Sequence, residues 1–408
     1  MMLPDALIRS WETAATTARA LGTVAAVATV PGTLELALVT LGGWMTASDP
    51  GRPVIAPVRR LAVLVPAHDE AATIECCIAS LLACRADGFI AEVVVLADNC
   101  SDTTAALARS AGARVLERFD NDRRGKGHAL QYAFSMLSAE QFDAFVIVDA
   151  DTSAMANLLT SIVRRLEAGA DAVQVPYGVR NPDASPRTRL MNLALLAFNR
   201  LRPRGRAGLG LSAGILGNGF AVSRATLEAL PWNASSVVED LEYHLRLVTA
   251  GRRVAYAEDT EVLADMPVGE RAAGQQRVRW EGGRLRMIAE HVPALLREIS
   301  RGRLRLIEPL LELLLLPLAM HSLLVLLCLA TPDAGIRVYA LTALAICAAH
   351  VMTAALRCGR GWADLAALAS VPRYLLWKLA LLPATVRGAR RTTAWVRTER
   401  EDLKGVAR

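Results

Sequence analysis

The stretch "FDAFVIVDADTSAM", from Phe142 to Met155, is the part of the chain that decides its fold. Its apolar, β-branched run predicts a buried strand, and the run stops abruptly at Asp149 and Asp151. Residues two apart lie on one face of an extended backbone, and carboxylates this close repel each other unless a cation separates them. We therefore predict that the pair holds Mg²⁺ or Mn²⁺ together with the phosphates of a nucleotide. A solvated turn after a strand is the alternative interpretation.

The segments around this strand alternate between short apolar runs and helical patterns. The other β-branched runs between residues 55 and 300 are "RLAVLVP", "EVVVLAD", "ARVLERF" and "DAVQVPY". The helical patterns that separate the earlier strands cover Ala71–Leu82, Thr103–Ala111 and Gly127–Leu137. This order predicts an α/β fold with a mostly parallel sheet. Ligands of such sheets bind at the carboxyl ends of the strands, where we expect both Asp98 and Asp149.

The composition indicates that the chain has membrane segments in addition to this α/β domain. The 408 residues are 53% hydrophobic, which is unusually apolar for a soluble enzyme, yet 21% are charged, which is too many for a pure membrane bundle. Stretches long enough to span a bilayer lie at about 21–45, 306–330 and 336–356. A further apolar stretch at about 366–385 carries Arg373 and Lys378 and fits a helix lying in the membrane interface.

Basic residues predict the orientation of these segments. Arginines follow the first and third spans and precede the second, whereas the loop between the second and third has none. The positive-inside rule therefore places the central domain in the cytoplasm and the N-terminus outside. A cleaved signal peptide is the alternative for the first span. The predicted units are a membrane segment over 1–50, the α/β domain over 55–300, membrane helices over 304–386 and a basic cytoplasmic tail over 387–408.

The net charge limits the possible binding partners, and the cysteine content indicates the cellular compartment. The net charge is +6, but no nucleic-acid-binding motif or basic-aromatic groove pattern occurs, so we predict no nucleic acid partner. Flanking membrane segments and a phosphorylated substrate explain the excess of basic residues better. The seven cysteines are odd in number and lack zinc-type spacing, which indicates reduced thiols in a cytoplasmic domain.

Polar residues also follow the first two predicted strands. "VLVPAHDEAATI" leads from the first strand into a helix whose first turn is predicted to hold Asp69 and Glu70, although simple helix-start chemistry is the alternative. "VLADNCSDTT" ends its strand at Asp98, whose carboxylate can accept hydrogen bonds from a base or a ribose. The alternative there is capping of the next helix by Ser101 or Asp102.

A glycine-flanked lysine precedes the third helix. In "DRRGKGHAL", Gly125 and Gly127 surround Lys126 at a predicted helix start. Backbone N–H groups at a helix N-terminus, together with a lysine, suit a phosphate group. A basic surface turn is the alternative interpretation.

The helix predicted over Ser235–Val248, "SSVVEDLEYHLRLV", supplies a candidate base. Ser236 and Glu239 have the spacing of a capping box, so Glu239 is explained by closing the helix start. Asp240 remains in the first turn, where the helix N-terminus stabilises an ionised carboxylate. Such a carboxylate can take the proton from an attacking hydroxyl group.

The segment "QQRVRW" places three functional side chains on one helical face. Gln276, Arg279 and Trp280 are three and four residues apart. The arginine can pair with a diphosphate, and the tryptophan offers a flat platform for a sugar ring. An amphipathic helix on the membrane surface is the alternative.

In chain order, "PAHDE", "ADNCSDTT", "RRGKGHAL", "DAD", "VED" and "QRVRW" resemble the motifs of the inverting family 2 glycosyltransferases. The resemblance covers about residues 60–285 and implies a nucleotide-sugar-binding fold of the glycosyltransferase A type with membrane anchors. "RRGKGHAL", "NPDASPRTRL" and "FNRLRPRGRAGLGLSAG" are most similar to the exopolysaccharide branch of methanolan-type clusters. Cellulose, chitin and hyaluronan synthases are more distant. Many members have asparagine at Asp69, which implies that this loop acts through its backbone.

The resemblance implies a role for each candidate residue. Asp240 becomes the catalytic base, Asp98 contacts the uridine, and Asp151, with Asp149, holds the metal. The implied nucleotide-sugar-binding residues are Ala67, Glu70, Asp98, Lys126, Asp149 and Asp151. The implied acceptor and diphosphate residues are Asn218 and Gly219 in "LGNGF", and Gln276, Arg279 and Trp280.

The favoured hypothesis is a hexosyltransferase at the bacterial cytoplasmic membrane that extends an exopolysaccharide from a UDP-sugar. Three spans are few for a polymer channel, so this hypothesis calls for a homo-oligomer or an export partner. The alternative is transfer of a single sugar to a membrane lipid, with "LIEPLLELLLLP" and the nearby arginines forming an acceptor groove. An inactive scaffold is disfavoured because the metal pair and the base are retained.

Overall fold

The computed structural model describes residues 5–45 and 54–389, except 235 and 237. Most of the predicted basic tail therefore lies outside the described residues. The strands are β1 (Arg60–Ala67), β2 (Ile90–Asp98), β3 (Arg114–Arg118), β4 (Ala144–Ile147), β5 (Thr152–Ala154), β6 (Ala172–Gln174), β7 (Tyr177–Val179), β8 (Phe220–Ser223), β9 (Val254–Tyr256) and β10 (Val262–Ala264).

The helices surround and follow these strands. In the first part of the chain they are α1 (Asp5–Gly42), α2 (Ile74–Leu82), α3 (Thr104–Ser110), α4 (Lys126–Leu137), α5 (Leu158–Glu167), α6 (Pro186–Leu195), a π-helical turn (Leu196–Leu201), α7 (Arg202–Gly208), α8 (Arg224–Ala229) and α9 (Glu239–Thr249). In the last part they are α10 (Glu270–Ser300), a 3₁₀ turn (Leu304–Leu306), α11 (Ile307–Leu314), α12 (Leu318–Leu329), α13 (Ala334–Cys358), α14 (Trp362–Leu365), a 3₁₀ turn (Ala366–Ser370) and α15 (Val371–Gly388).

Seven strands form the main sheet, in the order β3–β2–β1–β4–β8–β6–β9. Strand β8 runs antiparallel to β4 and β6, while the other pairs are parallel. The predicted α/β fold with a mostly parallel sheet is thus confirmed. A small second sheet, β5–β10–β7, begins directly after the aspartate pair. Its strands have three residues each, too few to give a periodic signal in the sequence.

The sheet is apolar because it is covered on both faces. In β1, every residue from Leu61 to Val65 is fully buried, as expected for a strand in a parallel sheet between two layers of helices. The side chains of one face pack with α2 and α5, and those of the other face with α4, Trp232 and Tyr243. This rigid core holds the carboxyl ends of β1, β2 and β4 at one edge of the domain.

Within the described residues, three helical runs have the length and hydropathy needed to cross a membrane: Glu12–Gly42, Ala334–Cys358 and Trp362–Gly388. The sequence predicts a continuous helix over 306–330, but the structure contains α11 and α12 bent by 86° relative to each other. The break precedes Pro317, which cannot donate a backbone hydrogen bond and disfavours helical geometry in the residue before it.

The run Trp362–Gly388 includes the helix that the sequence predicts for the membrane interface. Lys378, one of the charges behind that prediction, is 4% exposed and forms an ion pair with Glu281 of α10. This pairing removes one physical objection to a membrane span. The position of the run relative to a bilayer remains a prediction.

Close approach of α1 to α7 joins the first candidate membrane helix to the α/β domain. A Cβ atom on Gly205 would lie 2.0 Å from the Val39 carbonyl oxygen, and one on Gly42 would lie 2.2 Å from the Gly205 carbonyl oxygen. Only glycine permits this contact between two helix backbones. It brings Glu35 of α1 within 2.8 Å of Arg206 of α7, deep in the interface.

Candidate active site

A cavity of about 1460 Å³ opens at the carboxyl ends of β1, β2 and β4 and extends between the candidate membrane helices. Most of the site residues predicted from the sequence lie on its wall. They are Ala67, Glu70, Asp98, Lys126, Asp149, Asp151, Asp240, Gln276, Arg279 and Trp280. The structure therefore brings together residues that are up to 213 positions apart in the sequence, from Ala67 to Trp280.

Asn218 and Gly219, predicted to line the acceptor pocket, do not lie on this wall. Asn218 is 1% exposed; its Oδ1 accepts a hydrogen bond from the Asp149 backbone N–H at 3.1 Å, and its Nδ2 donates to Thr152 Oγ1 at 2.9 Å. Gly219, at φ 66°, faces Val175 and Val262. Asn218 thus supports the aspartate-containing turn from behind, and Gly219 packs against two valine side chains.

Lys126 connects the carboxylates of the site. It is the first residue of α4, and its ammonium group contacts the Asp149 carboxylate and the Gly217 carbonyl oxygen. Burial tends to lower the pKa of Lys126, but Asp149, Glu239 and Asp240 outweigh that effect, so the pKa is raised. Lys126 is therefore a fixed positive charge between the aspartate pair and the candidate base.

Asp98 is held by a residue that sequence analysis missed. Arg118, the last residue of β3, lies opposite Asp98 in the β2–β3 register and donates to its Oδ1 at 2.6 Å. Burial raises the pKa of Asp98, and the Arg118 guanidinium opposes that rise. The sequence signal was available, because parallel strands that end together bring their last side chains side by side.

The loop after β1 is fastened to the loop after β2. Asp69 has a left-handed backbone (φ 54°), which aspartate and asparagine tolerate better than most residues. Its Oδ1 accepts hydrogen bonds from the backbone N–H groups of Ser101 at 2.6 Å and Asp102 at 3.2 Å. Asp69 therefore lies in the loop and not in the first turn of α2, which begins at Ile74.

The predicted capping box at α9 does not form. The Ser236 backbone N–H donates to Glu242 Oε2 at 3.1 Å, and α9 begins at Glu239 without a side-chain cap. Glu239 instead lines the cavity beside Asp240. Helix-start spacing alone could not distinguish these two arrangements.

Glu239, which is buried, and Asp240, which is half-buried, form an acidic pair in the first turn of α9. Burial raises the pKa of both carboxyl groups, and Asp240 adds to the rise at Glu239, whose pKa reaches about 8. The backbone N–H of Leu241 and the charge of Lys126 oppose the rise at Asp240. A Cβ atom on Gly217 would lie 3.0 Å from Asp240 Oδ2, so a glycine there leaves room for the carboxylate.

Helix α10 closes the opposite side of the cavity with Gln276, Arg279 and Trp280. Burial lowers the pKa of Arg279, while Glu239, Asp149 and Asp151 partly compensate, so its guanidinium faces the carboxylates across the cavity. Gln276 Oε1 has no hydrogen-bond partner within the described part of the chain. These positions match a binding face better than the alternative of a helix whose polar face meets only the membrane surface.

Beyond the polar residues, the cavity wall becomes apolar. The apolar part of the wall is formed by side chains of α1, of the bend between α11 and α12, and of α13. The apolar residues there include Leu36, Leu315, Leu316, Pro317, Cys347 and Val351. The stretch predicted as a lipid-side groove, around "LIEPLLELLLLP", thus contributes to the wall of the same cavity that holds the aspartates.

The fold and the polar cavity at the ends of its strands define a glycosyltransferase of the A type. The sequence profile described as glycosyltransferase like family 2 matches residues 57–283, more than half of the 408 residues. The chain belongs to this family. Its assignment to the exopolysaccharide branch remains a prediction.

Similar proteins differ in the molecules they are named for. The chain is 25% identical over 235 residues to the probable glycosyltransferase YdaM of Bacillus subtilis, covering 55% of each protein. It is 27% identical over 241 residues to beta-monoglucosyldiacylglycerol synthase of Synechocystis, covering 56% of this chain and 48% of that protein. It is 32% identical over 203 residues to glucosyl-3-phosphoglycerate synthase of Mycobacterium tuberculosis, covering 44% and 59%. The chain thus spans about half the length of these curated relatives.

The mannosyltransferase PcManGT of Pyrobaculum calidifontis, solved with GDP-Man and Mn²⁺, has a similar fold. The TM-score is 0.56 at 20% identity, with 92% of this chain and all of that chain covered. At this level of identity the similarity concerns the fold alone, and it extends over most of the helices outside the sheet domain.

Proposed function

We propose that the protein transfers one sugar from a nucleotide-diphosphate sugar to a membrane lipid, with inversion at the anomeric carbon. The observation that carries this proposal is the continuity of the cavity. One space of about 1460 Å³ is lined both by the carboxylates of the candidate site and by apolar side chains of candidate membrane helices. A lipid can place its head at the carboxylates while its chains stay in apolar surroundings. The name of the Synechocystis relative, a glycolipid synthase, supports the same class of acceptor.

A divalent cation, Mg²⁺ or Mn²⁺, is the cofactor that the residues fit. Asp149 and Asp151 offer hard carboxylate oxygens on the cavity wall, and two carboxylates plus substrate phosphates are a usual ligand set for such ions. Within the described ranges, the one group of three potential protein ligands is Asp69, Cys100 and Asp102, in the neighbouring loops. The diphosphate therefore has to complete the set at the aspartates. When bound, the cation neutralises charge that develops on the leaving diphosphate.

The remaining chemistry falls to side chains. Asp98, oriented by Arg118, accepts hydrogen bonds from the base of the nucleotide. Lys126 and Arg279 bring positive charge to the diphosphate. Asp240 takes the proton from the acceptor hydroxyl group, whose oxygen attacks the anomeric carbon from the face opposite the leaving group. An α-linked donor thus gives a β-linked product.

The test uses the purified full chain in lipid nanodiscs with MnCl₂. UDP-sugars and GDP-sugars are offered one at a time, nucleotide release is followed, and products are sized by mass spectrometry. A lipid that carries a single added sugar is the expected result. A ladder of sugars from one donor would contradict the proposal and favour exopolysaccharide synthesis, with an oligomer or a partner providing export. Nucleotide release without any glycosylated product would also contradict it.

A further inference from the structure

Arg202 is a buried cation that the mechanism above does not use. It begins α7 directly after the π-helical turn Leu196–Leu201, a type of turn that is frequent at functional sites. Its side chain is 5% exposed and lies on the cavity wall, with its guanidinium 4.5 Å from the centre of the Phe198 ring. Its Nε and Nη2 atoms have no hydrogen-bond partner among the residues that the structure describes.

The neighbouring Arg206 has close carboxylate partners, which Arg202 lacks. Arg206, four residues later, lies 2.8 Å from Glu35, 2.8 Å from Glu308 and 2.6 Å from Glu312. Arg202 Nη2 lies 3.7 Å from Glu312 Oε1, which is beyond hydrogen-bond distance and is shared with Arg206. Burial, and then the charge of Arg206, lower the pKa of Arg202 to about 9. A buried charge with so little compensation is costly unless a ligand supplies the missing partner.

Arg202 lines the same cavity as Asp240. A Cβ atom on Gly217 would lie 3.0 Å from Asp240 Oδ2, and one on Gly214 would lie 3.4 Å from Arg206 Nη1. Three residues of chain span at most about 10 Å, so the arginines are within reach of a molecule held at the base. The wall of this one cavity thus carries carboxylates, the Arg202 guanidinium and apolar side chains of α1, α12 and α13.

We propose that Arg202 binds a phosphate group in the head of the lipid acceptor, so that the acceptor is an anionic lipid. This inference rests on the proposed function. In it, the acceptor hydroxyl group lies at Asp240, the phosphate at Arg202, and the hydrocarbon chain along the apolar wall. The planar fork of a guanidinium matches phosphate oxygens in pairs, and arginine keeps its charge where lysine would lose it more readily.

The test measures binding by the full chain in detergent, using fluorescence of tryptophans such as Trp280 and Trp362, which line the cavity. The probes are farnesyl phosphate and farnesol, which share a hydrocarbon chain and differ in the phosphate. Arg202→Gln should weaken farnesyl phosphate binding about ten- to hundredfold. Farnesol affinity should change less than about threefold, which also shows that the variant keeps its fold. Arg202→Lys should recover part of the loss, and Arg373→Gln, on the exposed side of α15, should change neither affinity.

Other outcomes overturn the inference. Equal affinity of wild type and Arg202→Gln for farnesyl phosphate removes Arg202 from the acceptor site. Competition by inorganic phosphate at the same concentration as farnesyl phosphate identifies a site for free phosphate. A matching loss of UDP affinity in Arg202→Gln places this arginine at the donor. An equal loss for both farnesyl probes that Arg202→Lys does not reverse indicates a packing role.

An assay of sugar transfer distinguishes failure of this inference from failure of the proposed function. Transfer to neutral lipids at a rate that Arg202→Gln leaves unchanged refutes the anionic acceptor and leaves lipid glycosylation standing. Absence of any glycosylated lipid, with Arg202-dependent binding of farnesyl phosphate intact, refutes lipid glycosylation but not the phosphate site.

Discussion

Replacing Arg118 with methionine tests whether this arginine keeps Asp98 ready for the nucleotide. Arg118 donates to Asp98 at 2.6 Å, to Asp120 at 2.8 Å and to the Arg123 carbonyl oxygen at 2.6 Å. The side chains of Arg118 and Asp98 are only 8% and 9% exposed, so methionine leaves a buried carboxylate without its cation. Removing one partner of a buried ion pair costs about 3–5 kcal/mol of folding free energy.

The same change should alter the charge of Asp98. Burial already raises its pKa, and Arg118 is the main opposing group. Without the Arg118 guanidinium, the effect of burial on Asp98 is no longer opposed by its main partner, so the pKa of Asp98 rises further and more of its carboxyl groups are protonated. A protonated Asp98 loses its charge-assisted hydrogen bond to the base. We expect UDP to bind about ten- to hundredfold more weakly at pH 6.

Calorimetric titration of UDP with MnCl₂ at pH 6 and pH 8 provides the measurement. Because a higher pKa extends protonation of Asp98 to higher pH, Arg118→Met should bind UDP more weakly at pH 6 than at pH 8, and this difference should be larger than in the wild type. Adding Asp98→Asn to Arg118→Met removes the unpaired charge and should raise the unfolding temperature above that of the single variant. Wild-type affinity for UDP in Arg118→Met at pH 6 would refute the reasoning.

Three further predictions concern the chemistry. Asp240→Asn should reduce sugar transfer about 10²- to 10⁴-fold with little change in UDP affinity, as measured by nucleotide release and calorimetry; near-normal turnover excludes Asp240 as the base. Burial and Asp240 raise the pKa of Glu239 to about 8, so Glu239 gains its charge, and repels the diphosphate, only as the pH rises past that value. The donor KM should therefore increase above pH 8 in the wild type but not in Glu239→Gln, and the same increase in both proteins contradicts this role. EDTA should stop transfer and added MnCl₂ should restore it, because Asp149 and Asp151 need the cation to bind the diphosphate; activity after complete chelation refutes the metal site.

Much of the fold could be predicted from local patterns. The apolar runs of β1, β2, β3, β4 and β6 each lie where the sequence indicates a strand, and the helices between the earlier strands begin within three residues of their predicted starts. Strands β5, β7, β9 and β10, of three residues each, escaped prediction because their pairing depends on partners far away in the chain. The bend between α11 and α12 also escaped, although Pro317 marks its position.

In the candidate site too, local features could be predicted from the sequence and long-range contacts could not. Residues with distinctive chemistry at strand ends or helix starts, such as Asp98, Lys126 and Asp240, were identified from the sequence and lie on one cavity wall. Roles that depend on contacts between distant segments were not identified from the sequence. Asn218 was expected at the acceptor but supports Asp149 from behind, because its side chain turns into the core.

The sequence by itself determined the α/β framework, the acidic pair at the end of β4 and the apolar segments at both ends of the chain. These features are local, since they follow from periodicity, strand ends and hydropathy over one segment at a time. Only the tertiary structure decided that Arg118 faces Asp98, that Glu239 lines the cavity, and that Arg202 remains almost uncompensated beside Arg206. Those relations depend on which side chains meet when the sheet closes and α1 packs on α7, and no single segment contains that information.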